Sequence, residues 1–347
     1  MKQISQDLNT GNIKVLDTPA PKLKKGNLII KSTISLISSG TERMLLSFGK
    51  GNLIEKALQQ PDKVKEVIQK YQTDGLINTF NTVKNKLDFP IPLGYCNVGK
   101  VVEIGDDVKG FKIGDRIVSN GNHAEIISVP QNLCAKIPKN VTDEEAVFTV
   151  VSSIGLQGIR LANPTFGETF LVSGLGLIGQ LTCQILKAQG CNVLAIDTDL
   201  EKCKLANKFN ISSLHLSEGS EPIEWIKKET KDMGIDGAIV TASTSSTSPI
   251  HLAAEACRKR GRIILVGVTG LNLRRDLFYK KEISFQVSCS YGPGRYDENY
   301  EDKGLDYPIG YVRWTEQRNF QSILNSISEG KIKTKDLISN ILPIERA

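Results

Sequence analysis

The stretch Asn27-Leu-Ile-Ile-Lys-Ser-Thr-Ile-Ser-Leu-Ile37 is dense in Ile and Thr and alternates in the manner of a β-strand. Ser38-Ser-Gly-Thr-Glu-Arg43 follows as a turn. From about 44 to 88 the period changes. Val64, Val67, Ile68 and Tyr71 recur at helical spacing among Lys, Gln and Glu, which predicts a helical insert broken at Pro61 and Gly75. Between Pro90 and Pro138 short apolar runs over 98–104, 115–118 and 124–129 are separated by Gly and Asn turns. That pattern predicts a small, barrel-like β domain.

Past Thr142 the texture changes again. Thr142-Asp-Glu-Glu145 reads as a capping box that opens one apolar helix through about 160. Strands and helices then alternate: strand 169–173, helix 178–189, strand 192–197, helix 200–209, strand 237–242, helix 251–259, strand 262–267 and a last strand over 283–288. This alternation predicts an α/β fold with a doubly wound parallel sheet, helices on both faces.

The 347 residues suit roughly two domains of about 150 each. Hydrophobic residues are 40% and charged residues 24%, enough apolar material for two cores and against disorder. The net charge is +6, from 44 basic and 38 acidic residues. The basic clusters Arg258-Lys-Arg260 and Arg274-Arg275 are short, so no nucleic acid is expected as a partner. No run of about 18 apolar residues predicts a membrane span, and the first residues carry no signal-peptide core. Seven cysteines, none in a C-x-x-C pair, argue against a Cys-rich zinc lobe and for a reduced, cytoplasmic protein.

Gly174-Leu-Gly-Leu-Ile-Gly179 follows a predicted strand and opens a predicted helix. Gly174 permits the tight turn, Gly176 lets backbone approach a pyrophosphate, and Gly179 lets helix pack on sheet. The helix N-terminus offers amides and a positive dipole end to the phosphates. The next strand ends in Asp197, whose carboxylate accepts both ribose hydroxyls and repels a 2′-phosphate, so NAD is expected over NADP. The expected cofactor contacts are Gly174, Gly176, Leu177, Ile178 and Gly179 in the turn, then Asp197, Thr198 and Lys202. Thr241, Ala242, Gly267 and Val268 complete them at the ends of later strands. The alternative reading makes this a glycine-rich turn with Asp197 capping the next helix.

Gly94, Gly99-Lys-Val-Val-Glu-Ile-Gly105, Gly110-Phe-Lys-Ile-Gly-Asp-Arg116, Ala124-Glu125 and Val129-Pro130, together with the glycine turn, resemble the medium-chain dehydrogenase/reductase superfamily of alcohol dehydrogenase-like proteins. The likeness covers nearly the whole chain. It implies a GroES-like catalytic domain from 1–136 and 291–347, an NAD-binding Rossmann domain from 137–290, and a homodimer paired through the strand at the sheet edge. Zinc-dependent members carry Cys-Gly-Thr-Asp where this chain has Ser39-Gly-Thr-Glu42. They carry Gly-His-Glu where it has Gly94-Tyr-Cys96, and a third ligand where it has Val150-Val151. A catalytic zinc needs three N, S or O ligands, so no metal is expected. Ser38 to Arg43, the helical insert, Pro92-Leu-Gly-Tyr95, Asn120-Gly-Asn-His123 and Ser288-Cys-Ser-Tyr-Gly-Pro-Gly-Arg-Tyr296 resemble, more narrowly, the dehydrogenase half of bi-domain oxidoreductases. A second half of the glucose–fructose oxidoreductase and inositol dehydrogenase type follows there, often with surface polysaccharide genes. On that likeness a further C-terminal oxidoreductase domain is expected, and the 347 residues read as the front of a longer chain.

Without zinc, side chains must move the proton and hold the developing alkoxide. The resemblance places Thr41 at the start of a proton relay, Tyr95 toward the reacting carbon and His123 in the substrate pocket. Glu42 and Arg43 read as an acid–base or orienting pair, or as a structural ion pair; His123 has a solvated loop position as its alternative. Asn120, Tyr291, Arg295 and Tyr296 are the expected substrate contacts, although the 291–296 loop and Pro308 to Trp314 also suit a dimer surface or packing on the β domain. His215 and His251 are read as structural. The insert is expected to roof the cleft. The reaction class is hydride transfer between NAD(H) and an alcohol or carbonyl, on a sugar or nucleotide sugar as small-molecule substrate. The alternatives are an NADPH quinone or enoyl reductase, and an NAD-binding domain without turnover that partners a second oxidoreductase domain.

Overall fold

The computed structural model describes residues 1–7, 10–40, 42–43 and 90–346. Thr41 and the helices expected over 44–88 lie outside the described residues. The N-terminal half is antiparallel. Strands β1 (Lys2–Gln6) and β2 (Ile13–Asp17) pair as a hairpin, and β4 (Ile91–Pro92) joins β1 on its other side. The second sheet runs β7-β3-β5-β6-β8, from β3 (Asn27–Ser35), β5 (Asn97–Ile104), β6 (Arg116–Ser119), β7 (Ile126–Pro130) and β8 (Cys134–Lys136). Leu28, Ile29 and Ile30 of β3 are all buried, so the Ile-rich run forms its centre. Strands β3 and β5 cross tightly at Gly99, where an added Cβ would lie 2.3 Å from the Lys31 carbonyl oxygen.

The capping box forms as the sequence predicts: the Thr142 hydroxyl accepts from the Glu145 amide and the Glu145 carboxylate from the Thr142 amide. The single helix expected after it is instead two, α1 (Asp143–Ala146) and α2 (Thr149–Ala162). Phe148 tucks into the core at the joint, and its amide reaches back three residues to Glu145 rather than four.

The C-terminal half is built on a six-stranded sheet in the order β11-β10-β9-β12-β13-β14, every pair parallel. Its chain order is β9 (Thr169–Ser173), α3 (Leu177–Ala188), β10 (Asn192–Asp197), α4 (Leu200–Lys208), β11 (Ser212–His215), α5 (Pro222–Glu229), β12 (Ile235–Val240), α6 (Ser248–Ala256), β13 (Cys257–Leu265), α7 (Arg275–Tyr279) and β14 (Ser284–Val287). This is the doubly wound arrangement, with the strand order reversing beside β9. Helix α6 ends at Ala256, three residues before the expected end. Cys257 turns to extended backbone, which puts Arg258, Lys259 and Arg260 on β13.

After β14 come a short α8 (Glu298–Glu301) and α9 (Glu316–Ser328). Helix α9 buries Phe320, Ile323, Leu324 and Ile327 and touches both halves. Gln317 Nε2 donates to the Gln131 and Cys134 carbonyls of the β half, while Asn319 Oδ1 accepts from Arg160 of α2. Among the described residues no helix is long and apolar enough to cross a membrane.

Helix α6 ends without a glycine. Lys281 Nζ donates instead to the carbonyls of Ala254, Glu255 and Cys257, at 3.2, 2.6 and 2.7 Å. A cation at a helix C-terminus satisfies orphan carbonyls and opposes the dipole. Lys281→Met is therefore expected to lower stability by about 1–2 kcal/mol, read as a lower urea midpoint with unchanged slope.

Candidate functional site

The turn between β9 and α3 has almost no room for side chains. Gly174 has φ +101°, and a Cβ there would lie 2.6 Å from the Ala242 amide nitrogen. A Cβ on Gly179 would lie 1.9 Å from the Gly174 carbonyl oxygen, and one on Gly267 2.1 Å from that of Ala242. Gly176 differs, because a Cβ there would enter open space. Helix α3 begins at Gly176 with no side-chain cap, and its first intrahelical amide bond is from Gln180 to Gly176. The amides of Leu177, Ile178 and Gly179 are therefore available at an open cradle. These residues fit the pyrophosphate of a dinucleotide.

Asp197 ends β10 and braces that turn. Its Oδ2 accepts from the Leu175 amide at 2.5 Å, its Oδ1 from the Asp199 amide at 2.8 Å, and Lys202 Nζ stands 4.0 Å away. The cap of α4 is Asp199, which accepts from the Glu201 and Lys202 amides, so the capping alternative for Asp197 is not what the chain adopts. Thr198 is exposed, with its carbonyl 3.1 Å from His215 Nε2. The Thr241 hydroxyl donates to the Gly174 carbonyl at 2.6 Å, the Ala242 amide to Ser173, and the Val268 amide to Ala242. The structure thus gathers the candidate cofactor residues at the C-terminal ends of β9, β10, β12 and β13.

A second polar group lies in the β half. His123 is 1% exposed, which rules out the solvated loop position. Its Nδ1 is 2.8 Å from the Ser35 hydroxyl and its Nε2 3.2 Å from Glu42 Oε1. Glu42 is buried as well, and the same oxygen accepts from the Ser38 amide at 3.0 Å. This Glu42 oxygen thus turns to His123 and the Ser38 backbone. Only Ser35 of the three is half-buried rather than buried, so it links the imidazole to the outside. A carboxylate only accepts, which assigns the Nε2 proton to the bond with Glu42 and leaves Nδ1 to accept from Ser35 in the neutral ring. The ring packs on Gly94, where a Cβ would come within 2.6 Å of it. Sequence reasoning passed over Ser35, which carries no motif of its own.

Tyr95 is half-buried against the core. Cys96 is fully buried beside it, bonded to the Val151 backbone, and burial pushes its thiol well above the usual range. Val150 and Val151 are fully buried. These residues do not fit a zinc ion, and among the described residues no group of three His, Cys, Asp or Glu could hold a metal.

The 291–296 loop turns inward more than its composition suggests. Tyr291 is 3% exposed, with its ring 5.6 Å from Phe320 and its hydroxyl accepting from Asn120 Nδ2 at 2.6 Å. Asn120 and Tyr291 are therefore brought together, but bonded to each other. The Arg295 guanidinium lies 5.4 Å from the Tyr291 ring and 4.2 Å from the Tyr296 ring, and Nη1 binds Glu301 at 2.6 Å. Tyr296 alone of these is largely exposed. Under the loop, burial and the charge of Glu301 push the Glu316 carboxyl up to about 9, against the opposing pull of Arg295.

Two family models match the chain: one described as the alcohol dehydrogenase GroES-like domain, over residues 69–139, and one as zinc-binding dehydrogenase, over residues 178–303. D-guloside 3-dehydrogenase of Escherichia coli K12 is 26% identical over 260 residues, 72% of this chain and 69% of that protein. An alcohol dehydrogenase from Thermus sp. ATN1 superposes with a TM-score of 0.74 at 18% identity, covering 100% of this chain and 94% of that one. A structure described as a short chain alcohol dehydrogenase from E. coli CFT073, complexed with NADH, gives 0.73 at 18% identity, covering 100% and 93%.

Glu316 sets a pH dependence. The unfolded chain releases this proton near the ordinary 4.5, whereas the folded protein holds it to about 9. The stability contributed by the protonated form is full below about 4.5 and is lost as pH rises through about 9. Glu316→Gln removes that loss. The melting temperature of the variant is expected to exceed that of the parent by a margin that widens to a few degrees as pH is raised through this window, followed by calorimetry.

Proposed function

We propose, from the premise that the chain belongs to the medium-chain dehydrogenase/reductase superfamily, that it is an NAD(H)-dependent oxidoreductase working without zinc on an alcohol or carbonyl of a sugar-type substrate. The observation that carries the reading is the Ser35–His123–Glu42 line, with its imidazole and carboxylate buried, an acid–base group in a chain whose zinc-ligand positions hold Ser39, Tyr95 and Val150-Val151. The similarity to D-guloside 3-dehydrogenase supports a sugar-type substrate.

Gly176 and the first amides of α3 hold the pyrophosphate, and Asp197 takes the adenosine ribose hydroxyls while disfavouring a 2′-phosphate. When bound, the nicotinamide supplies the hydride acceptor or donor. The chain supplies the proton path. Glu42 fixes the proton on His123 Nε2 and stabilises the charged imidazolium. His123 Nδ1 then takes a proton through Ser35, whose hydroxyl is the outward member of the line. In reduction the same atoms return it. Among the described residues strand β14 is one edge of the parallel sheet, with β11 at the other. Its pairing with a second copy covers that edge and makes a homodimer.

Cofactor preference is checked by titrating NADH and NADPH into the protein. NADH is expected to bind at least tenfold tighter, and Asp197→Ala to narrow the gap; tighter NADPH binding overturns the role of Asp197. The substrate is sought by thermal shift of nucleotide sugars and polyols with NADH present. With the hit in hand, turnover is expected to survive EDTA. His123→Asn is expected to lower kcat about 100-fold or more with NADH affinity unchanged. Loss of activity with chelator, or full activity in His123→Asn, refutes the proton path.

A further inference from the structure

His123 sits at the centre of a three-residue turn. The Ala124 amide donates back across it to the Asn122 carbonyl at 3.0 Å. The direction of the ring therefore follows the direction of that carbonyl. A second donor meets the same oxygen: Asn97 Nδ2 reaches it at 3.0 Å. The other proton of this NH2 group goes to Ser32 Oγ at 2.9 Å. One amide thus holds both the turn that carries His123 and β3, the strand that carries Ser35. Asn97 also stands directly opposite Ser35 in the β3–β5 ladder.

The Asn97 side chain is fully buried, and among the described residues nothing bonds its Oδ1. A half-turn of the amide would set that oxygen against the Asn122 carbonyl, acceptor against acceptor, so the two donor bonds fix its orientation. Strand β5 is paired on both sides through its backbone, and the sheet does not require an amide here. A buried acceptor without a partner costs stability, which an apolar side chain of the same size would avoid. What only the amide supplies is the double donor. The loop is also pressed onto it, since a Cβ on Gly121 would lie 3.1 Å from Ser119 Oγ and 3.2 Å from Asn97 Cβ.

We propose that Asn97 is the positioning residue of the proton path, a double donor that fixes the gap between Ser35 and His123 Nδ1. The inference rests on the reading of Ser35–His123–Glu42 as that path. The ring nitrogens bond Ser35 and Glu42, so Asn97 acts through Ser32 and the Asn122 carbonyl. Glu42 holds the far nitrogen and cannot by itself keep Nδ1 on the Ser35 hydroxyl, because the ring can pivot about the Nε2 bond.

The chain has three histidines, so His123 is assigned by difference in spectra of ¹⁵N-histidine protein. In the neutral ring, a nitrogen that accepts a hydrogen bond resonates upfield of one that does not. Ser35→Ala marks the unbonded position of Nδ1. Asn97→Leu keeps the volume and removes both donors. It is expected to move the Nδ1 resonance most of the way to that position, with an unchanged circular dichroism spectrum. A role in packing alone would lower the urea midpoint and leave Nδ1 where the parent has it. With a substrate in hand, the same variant is expected to lower kcat about tenfold or more at unchanged NADH affinity. A folded Asn97→Leu with the parent's Nδ1 resonance overturns the proposal and leaves the proton path standing. Coincident parent and Ser35→Ala spectra overturn the Ser35 bond, and both readings with it. If Asn97→Leu does not fold, Ser32→Ala at its half-buried position decides: a shift of the same sign supports the tie, and the parent's resonance overturns it.

Discussion

The nucleotide half is organised around a place where no side chain fits. At the β9–α3 turn, backbone meets backbone: Gly174 against Ala242, Gly179 against Gly174, and Gly267 against Ala242. Contacts of this kind cannot be relieved by moving a rotamer, because the neighbours are themselves backbone just past the ends of β9 and β12. Two side chains then fasten the turn from either side, Asp197 from β10 and Thr241 from the end of β12. Four strand ends are thereby tied into one rigid floor. Within that turn Gly176 faces open space, so steric exclusion everywhere else is what defines where a ligand can approach.

The β half meets a different constraint. It buries an imidazole and a carboxylate, and burying such groups costs several kcal/mol unless each is bonded. Glu42 meets that demand with His123 and the Ser38 amide, and His123 meets it with Glu42 and Ser35. The glycine at position 94 is part of the same arrangement, since any larger residue would displace the ring. In the proposed reading, the apolar pair Val150-Val151 and the buried, neutral Cys96 leave this line as the proton-handling group of the cleft.

The parallel sheet was legible because its strands are dense in Val, Ile and Leu and are punctuated by helices of matching length. The N-terminal hairpin, β11 and α5 were not, because Lys2–Gln6, Ser212–His215 and Pro222–Glu229 are largely polar and owe their form to main-chain pairing or packing. The glycine turn was legible because its chemistry is local, contained in six consecutive residues plus one acid on the next strand. The His123 group was not, beyond the naming of His123 and Glu42, because its partners are remote in sequence. Ser35 is 88 positions from His123 and Glu42 is 81. The 291–296 loop shows the same limit in the other direction. Its Tyr and Arg look like ligand contacts by type, but Asn120, 171 positions away, engages Tyr291, and Glu301 engages Arg295.

Helix α9 answers a problem that neither half solves alone. Any chemistry that passes between a group held at the glycine turn and a proton path at His123 needs the two halves in fixed register. Apolar contact through Phe320 and Leu324 holds them together but is tolerant of sliding, because dispersion has little direction. The polar ties of α9 are directional. Gln317 grips the Gln131 and Cys134 carbonyls at the start of β8, Asn319 grips the Tyr291 carbonyl, and Arg160 reaches Asn319 from α2. Each is a side chain on a backbone group or on another side chain that is itself held. Register between the halves is therefore set by four hydrogen bonds centred on Gln317 and Asn319, within one helical turn, and anything that moves Arg160 acts on that register directly.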